Sequence, residues 1–251
     1  FCKNTGLSLP IIALQYHDVK LKLQLNTLDN LIHTDGSSVS TSGSITEFKI
    51  YIDYIFLDTE ERRRFAQVSH EYLIEQVQRT TDVISAGNAS VDLRFNHPVK
   101  SMYWTITNSS RDATDSTPVI NEGLSDTNGN DWLNYSAASE NTDLGYGTYD
   151  TFNKGKLQFN GADRISERDA LYFRQVQPLQ YHSNVPKKHI YVYSFSLKPE
   201  EHQPSGTCNF SRIDNAKLVL TNAKAGNIKI FAINYNILRI TSGMGGLAYS
   251  N

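Results

Sequence analysis

Ile190-Tyr191-Val192-Tyr193-Ser194-Phe195-Ser196-Leu197 is the run on which the fold turns. Aromatic and β-branched side chains dominate it, and such residues suit a pleated, half-buried surface. At eight residues it fits a strand and falls short of an ordinary helix. Working outward toward the C-terminus, Lys217 to Leu220 and Ile228 to Ile240 read as strands, joined by a Gly226-Asn227 turn. Tyr172 to Val176 reads as another, stopped by Pro178. Toward the N-terminus come Ser90 to Phe95 and Val99 to Thr107, separated by a turn at Asn96-His97-Pro98. Pro98 favours an extended conformation at His97 and has no N–H to give a ladder. Glu71 to Gln78 and Lys49 to Leu57 (KIYIDYIFL) are further strands, and Val19 to Leu25 alternates strictly between apolar and polar.

One helix interrupts this pattern. Asp58 stands where an N-cap belongs, and Glu61 follows three residues later as the returning carboxylate. The acids fall in the first turn and Arg62, Arg63 and Arg64 toward the end, an order that suits the helix dipole. The pattern therefore indicates an all-β fold class, a β-sandwich or jelly roll, with one short helix.

Composition narrows the function classes. The chain has 251 residues, enough for one large all-β domain or one domain and part of another. Its formal net charge is −2, so no global field draws it to nucleic acid or to an anionic membrane surface. No apolar run approaches the roughly 20 residues that span a bilayer, so membrane insertion is not expected. Two cysteines, Cys2 and Cys208, are too few for a secreted disulfide scaffold and suit a reducing compartment. The chain opens on Phe1-Cys2-Lys3, which reads as a fragment or a processed piece.

Between Asn108 and Lys156 the periodicity fails. That stretch is rich in Asn, Asp, Ser, Thr and Gly, with Trp132, Tyr135, Tyr146, Tyr149 and Phe152 scattered through it. A structureless loop this long is unusual in a compact domain, and its aromatics imply packing on itself or on a neighbour. A second irregular stretch, Thr34 to Ser44, reads as a connection and a domain boundary.

Several runs resemble the major capsid proteins of the nucleocytoplasmic large DNA viruses. They are GLSLPIIALQYHDV (6–19), LDTEERRRFA (57–66), SHEYLIEQ (69–76), FNHPVK (95–100), PSGTCNFSRID (204–214), and NYN (234–236) through SGMGGLAYSN (242–251). They span nearly the whole chain, the 108–156 stretch excepted. The resemblance implies two jelly rolls per subunit, homotrimers with a pseudo-hexagonal outline, and an icosahedral shell. It also implies neighbouring capsomers and minor capsid proteins as partners, a place in the virion, and assembly in the host cytoplasm. No catalytic role, cofactor or direct nucleic-acid contact is expected on this reading. This chain is about half of such a protein. Strand candidates at 46–57, 69–79, 88–95, 99–107, within 157–177, 189–197, 211–221 and 227–240 make eight, one jelly roll. Residues 1–45 would then be the tail of a first jelly roll and 46–251 the second.

Motifs that could carry chemistry are sparse. His182, His189 and His202 lie near Glu200 and Glu201, yet no His-x-His pair exists to start a cupin-like metal set. No Gly-x-Ser-x-Gly elbow is present, and Cys208 has no cationic neighbours in sequence, so it reads as a structural thiol. Gly243-Met244-Gly245-Gly246 lacks the Lys-Ser/Thr of a phosphate loop. It reads as a flexible tail needing positive φ or close backbone approach, with Met244 a candidate inter-subunit contact. Arg62, Arg63 and Arg64 read as a solvated or salt-bridged face, and the resemblance makes them candidate inter-subunit contacts. Glycosylation sequons start at Asn88, Asn108, Asn134 and Asn209. Asn108 and Asn134, in the irregular stretch, are the candidate glycan sites, whereas Asn209 suits a structural role. A rival class is a carbohydrate-binding jelly roll that stacks sugars on Trp132, Tyr135 and Tyr146.

Overall fold

The computed structural model describes residues 1, 4–25, 43–107, 135–137 and 149–249. Ten strands lie among them: β1 (His70–Ile84), β2 (Gly87–Asp92), β3 (Pro98–Thr107), β4 (Lys154–Phe159), β5 (Ala162–Asp169), β6 (Tyr191–Ser194), β7 (Cys208–Asn209), β8 (Ala216–Ala223), β9 (Gly226–Thr241) and β10 (Met244–Leu247). One sheet runs β1-β9-β3-β6, with β10 added to β9 and β7 to β3; the other runs β2-β8-β4-β5. Setting aside the short strands β7 and β10, the first strand pairs with the eighth, the second with the seventh, the third with the sixth and the fourth with the fifth. Four nested antiparallel pairs rolled into two facing sheets make a jelly roll.

Alternation along the strands builds the core. β8 buries Ala216, Leu218 and Leu220, and β9 buries Ile228, Ile230 and Ala232, with less buried residues between them. β3 sits inside its sheet and is buried on both faces over most of its length, including Val99, Met102, Trp104 and Ile106. An aromatic cluster closes one part of the core: Trp104 lies 5.3 Å from Phe173 and 5.9 Å from Tyr191, and Phe152 lies 4.6 Å from Tyr191. Burying each such side chain stabilises the fold by about 1.5–3 kcal/mol, and aromatic pairs add about 0.5–1.5 kcal/mol. Gly226 is required by close approach, because a Cβ there would collide with the Thr107 carbonyl oxygen.

The described residues divide into two compact units, one formed by those within 1–25, 43–76 and 235–249, the other by those within 77–234. The divisions fall inside β1, after Gln76, and inside β9, after Asn234.

Several strand readings are corrected. Lys49–Leu57 and Val19–Leu25 form no strand, and their apolar residues, half-buried Leu57 apart, are exposed. A β-strand needs a ladder partner, and these segments find none among the described residues. The strand count is still met, because one expected strand is two: β4 and β5 form a hairpin pairing Phe159 with Ala162. Its two-residue loop is Asn160-Gly161, both at positive φ (51° and 82°), the turn chemistry that Asn-Gly favours. Tyr172–Val176 is a wide helical turn rather than a strand, and it runs into α2 (Gln177–Tyr181). Buried Ala170, Phe173, Arg174, Gln177 and Pro178 recur with helical period, and Pro178 sits in the first turn, where its missing N–H costs nothing. The helix preceding β1 therefore has a companion, contrary to the expectation of a single one. β8 and β9 lie in different sheets, so Gly226-Asn227 is the start of β9 and not a hairpin turn. His97 has a positive φ of 66° instead of an extended backbone. Its N–H donates to Ser211 Oγ (2.8 Å) and its carbonyl accepts from Phe210 N (3.1 Å), so tertiary bonds override the local preference before proline.

Candidate assembly surface

The unit holding the N-terminal segment and the end of β9 carries most of the positions singled out above. α1 (Thr59–Gln67) begins where expected, with Asp58 Oδ1 accepting from Glu61 N at 2.9 Å. Its end is fixed to β1: His70 stacks on Phe65 at 5.3 Å, and His70 Nε2 lies 2.8 Å from the Phe65 carbonyl oxygen. α1 therefore turns Arg62, Arg63 and Arg64 to solvent. Arg63 pairs with Glu60 at 3.2 Å, one turn back. Arg62 and Arg64 have no ion pair among the described residues, which leaves two cations free to meet a partner.

The glycine-rich C-terminal segment is not a free tail. Ser242 and Gly243, at φ 54° and 80°, turn the chain so that β10 pairs back on β9, from Met244 opposite Thr241 to Leu247 opposite Leu238. Both glycine roles read from sequence are present at Gly243, since a Cβ there would also stand 2.5 Å from Tyr16 Cδ2. Tyr16 N donates to the Gly243 carbonyl (3.0 Å), and Gly245 N donates to His17 Nδ1 (3.1 Å). Asn236 completes the closure. Fully buried, it donates Nδ2 to Gln76 Oε1 and to the Tyr249 carbonyl (2.9 Å each), while its Oδ1 accepts from Tyr249 N (3.1 Å). One amide side chain thus stands in for a ladder residue. The 3-10 turn at Ile11–Ala13 packs on α1, and Tyr16 and His17 hold β10, so one segment joins the arginines to Met244. Met244 itself is 57% exposed.

The same unit exposes apolar residues on an unusual scale. Leu21 is 72% exposed, Tyr51 89% and Phe56 92%, within two segments that also expose Val19, Leu23, Ile50 and Ile52. Single exposed apolar residues are ordinary, but contiguous runs mark a surface awaiting a partner.

In the other unit, sequence reasoning missed a buried polar node. Arg174, 1% exposed at its side chain, donates Nε to Asp150 Oδ1 (2.9 Å) and Nη2 to Oδ2 (3.4 Å). Tyr191 donates its hydroxyl to Asp150 Oδ1 (3.0 Å) and accepts from Thr151 N (3.0 Å). Burial, first, and the Asp150 charge, second, push the Tyr191 phenol well above its ordinary pKa. The only sequence signal for this node was a basic residue on the buried side of a helical period.

The residues weighed for catalysis do not converge. His182 Nδ1 lies 3.2 Å from Glu200, whose carboxylate also accepts from Ser183 N; those bonds hold the carboxyl below its usual range. His202 is exposed. Among the described residues, no three His, Cys, Asp or Glu side chains gather to hold a metal ion. Cys208 is half-buried against the core, and burial pushes its thiol up, away from the reactive thiolate. Asn209 Oδ1 accepts from Ser211 N and caps a short 3-10 turn, a structural role. Asn108, Asn134, Trp132 and Tyr146 lie outside the described residues, and Tyr135 is half-buried.

The strand order is that of a jelly roll, and the unit with the N-terminal segment exposes contiguous apolar residues and arginines, features of a structural, assembly-type protein. Family models agree: residues 61–246 match the large eukaryotic DNA virus major capsid protein, and residues 1–58 match the major capsid protein N-terminus. The chain belongs to the large eukaryotic DNA virus major capsid protein family. The major capsid protein of Pyramimonas orientalis virus is 44% identical, with all of this chain and 59% of that protein aligned. That of Paramecium bursaria Chlorella virus 1 is 40% identical, covering all of this chain and 65% of that protein. A chain in the quasi-atomic model of the PBCV-1 virus capsid superposes with a TM-score of 0.71 at 36% identity, over 99% of this chain and 68% of that one. The chain thus spans about three fifths of the length of the curated relatives it matches.

Proposed function

We propose that this chain is the C-terminal portion of a shell-building subunit, a non-enzymatic major capsid protein that forms homotrimeric, pseudo-hexagonal capsomers of an icosahedral virion. The observation that carries it is the superposition on a chain of a virus capsid, at 36% identity and over 99% of this chain. The jelly roll supplies a closed, rigid block, and repeated interfaces between such blocks need no reactive group. Neighbouring capsomers and minor capsid proteins are the partners, assembly takes place in the host cytoplasm, and neither nucleic acid nor membrane insertion enters the role. Arg62, Arg63, Arg64 and Met244 serve inter-subunit contacts, and Asn108 and Asn134 are the glycan acceptors.

The exposed segments support a domain division. Residues 1–45 form the tail of a first jelly roll, and the second lies within 46–251. Residues 46–57 make no strand in the described sandwich, and the two family models meet between 58 and 61. Both facts favour carrying the first jelly roll's tail forward to residue 58. Its apolar residues are then covered by the part of the subunit that, in the relatives, lies beyond their alignment with this chain.

Light scattering on the full-length subunit tests the reading. A trimer mass at micromolar concentration supports it. A monomer at all concentrations, together with failure to form shells when co-expressed with its viral partners, refutes it.

A further inference from the structure

His189 completes the polar node around Asp150 without bonding to it. Its Nε2 is buried, has no hydrogen-bond partner among the described residues, and stands 4.0 Å from Asp150 Oδ1. The charged and titratable groups around it come from three elements. Asp150 lies on the segment preceding β4, Arg174 on the helical turn preceding α2, and Tyr191 on β6. Lys187 and Lys188, on the segment of His189 itself, point to solvent. With His189 neutral, the node holds one cation and one anion. With His189 protonated, it holds two cations on one anion in a site largely shielded from water.

We propose that His189 is a proton-sensing residue whose protonation releases the Asp150–Phe152 segment from its anchorage on Arg174 and Tyr191. The anchorage is consequential, because Phe152 packs on Tyr191 and fills the aromatic end of the core. Opening it exposes apolar surface while leaving the β2-β8-β4-β5 and β1-β9-β3-β6 ladders paired.

The direction is fixed by linkage. Burial, and after it the Arg174 charge, holds the His189 imidazole below its ordinary pKa in the closed state. The open state, with the ring in water, titrates at the ordinary value of about 6.5 and binds the proton more readily. The closed state is therefore at full strength above that pH and weakens as the pH falls below it. A single proton makes the opening constant rise by up to about tenfold per pH unit in that window.

Hydrogen exchange on the full-length protein between pH 8 and pH 5, corrected for intrinsic rates, tests this. The expected result is loss of protection confined to residues 149–153 and 172–177, with β6, β8 and β9 unchanged. In His189→Gln the same segments keep one opening constant across the range. No acid-induced change in the parent protein, loosening spread evenly over β8 and β9, or an unaltered pH response in His189→Gln would each overturn the proposal. If the variant does not fold, the pattern in the parent protein decides alone.

Discussion

Arg174→Met removes the cationic half of a buried ion pair and keeps the volume of the aliphatic stem. The Arg174 side chain is 1% exposed, so water cannot take over its two bonds to Asp150. Removing one partner of a buried pair costs about 3–5 kcal/mol, because the other charge is left uncompensated. Asp150 is 12% exposed and keeps the Tyr191 hydroxyl at 3.0 Å, which places this site at the low end, about 3 kcal/mol. A protein has on the order of 5–15 kcal/mol to lose, so the midpoint of urea unfolding should fall by a fifth or more. At roughly 2–4 °C per kcal/mol for a chain of this size, the Tm should drop by about 6–12 °C. The double variant Arg174→Met/Asp150→Leu should recover most of that loss, since an apolar replacement of a buried pair is often neutral or stabilising. Urea titrations of the two single variants and the double variant complete the cycle. A cost below about 1 kcal/mol for Arg174→Met, or a double variant as unstable as the summed singles, would refute the claim that the node is dry and coupled.

Gly243→Ala should lower the Tm, because it places a Cβ in left-handed backbone and 2.5 Å from Tyr16 Cδ2; the strain is on the order of 1–3 kcal/mol. Gly246→Ala, where a Cβ meets nothing within 4 Å, is the control and should leave the Tm unchanged. Cys208 in the folded protein should be alkylated by iodoacetamide at pH 8 more slowly than in urea, since burial keeps the thiol protonated. Peptide mapping that shows equal rates would contradict that assignment.

How much of this was legible in the sequence depends on the range of the interaction. Strand character at 71–78, 99–107, 217–220 and 228–240, and in parts of 90–95 and 190–197 (up to Asp92, and Tyr191–Ser194), could be read from side-chain type and alternation, because those strands lie in sheets that bury one or both faces. The Asp58 cap was legible because donor and acceptor lie three residues apart. Charge and cysteine content bounded the functional class, and the family runs identified the rest. Tertiary structure alone decided whether an apolar, alternating segment is a strand. Val19–Leu25 and Lys49–Leu57 have the side chains of strands and find no partner among the described residues, since a ladder needs a second chain segment that no local pattern supplies. It also decided that 172–181 is helical, that His97 sits at positive φ, and that Asp150, Arg174, His189 and Tyr191 share one buried node. Those residues are up to 41 positions apart, and only the closed sandwich brings them within bonding distance. Local chemistry set the elements; long-range burial set which of them became the site.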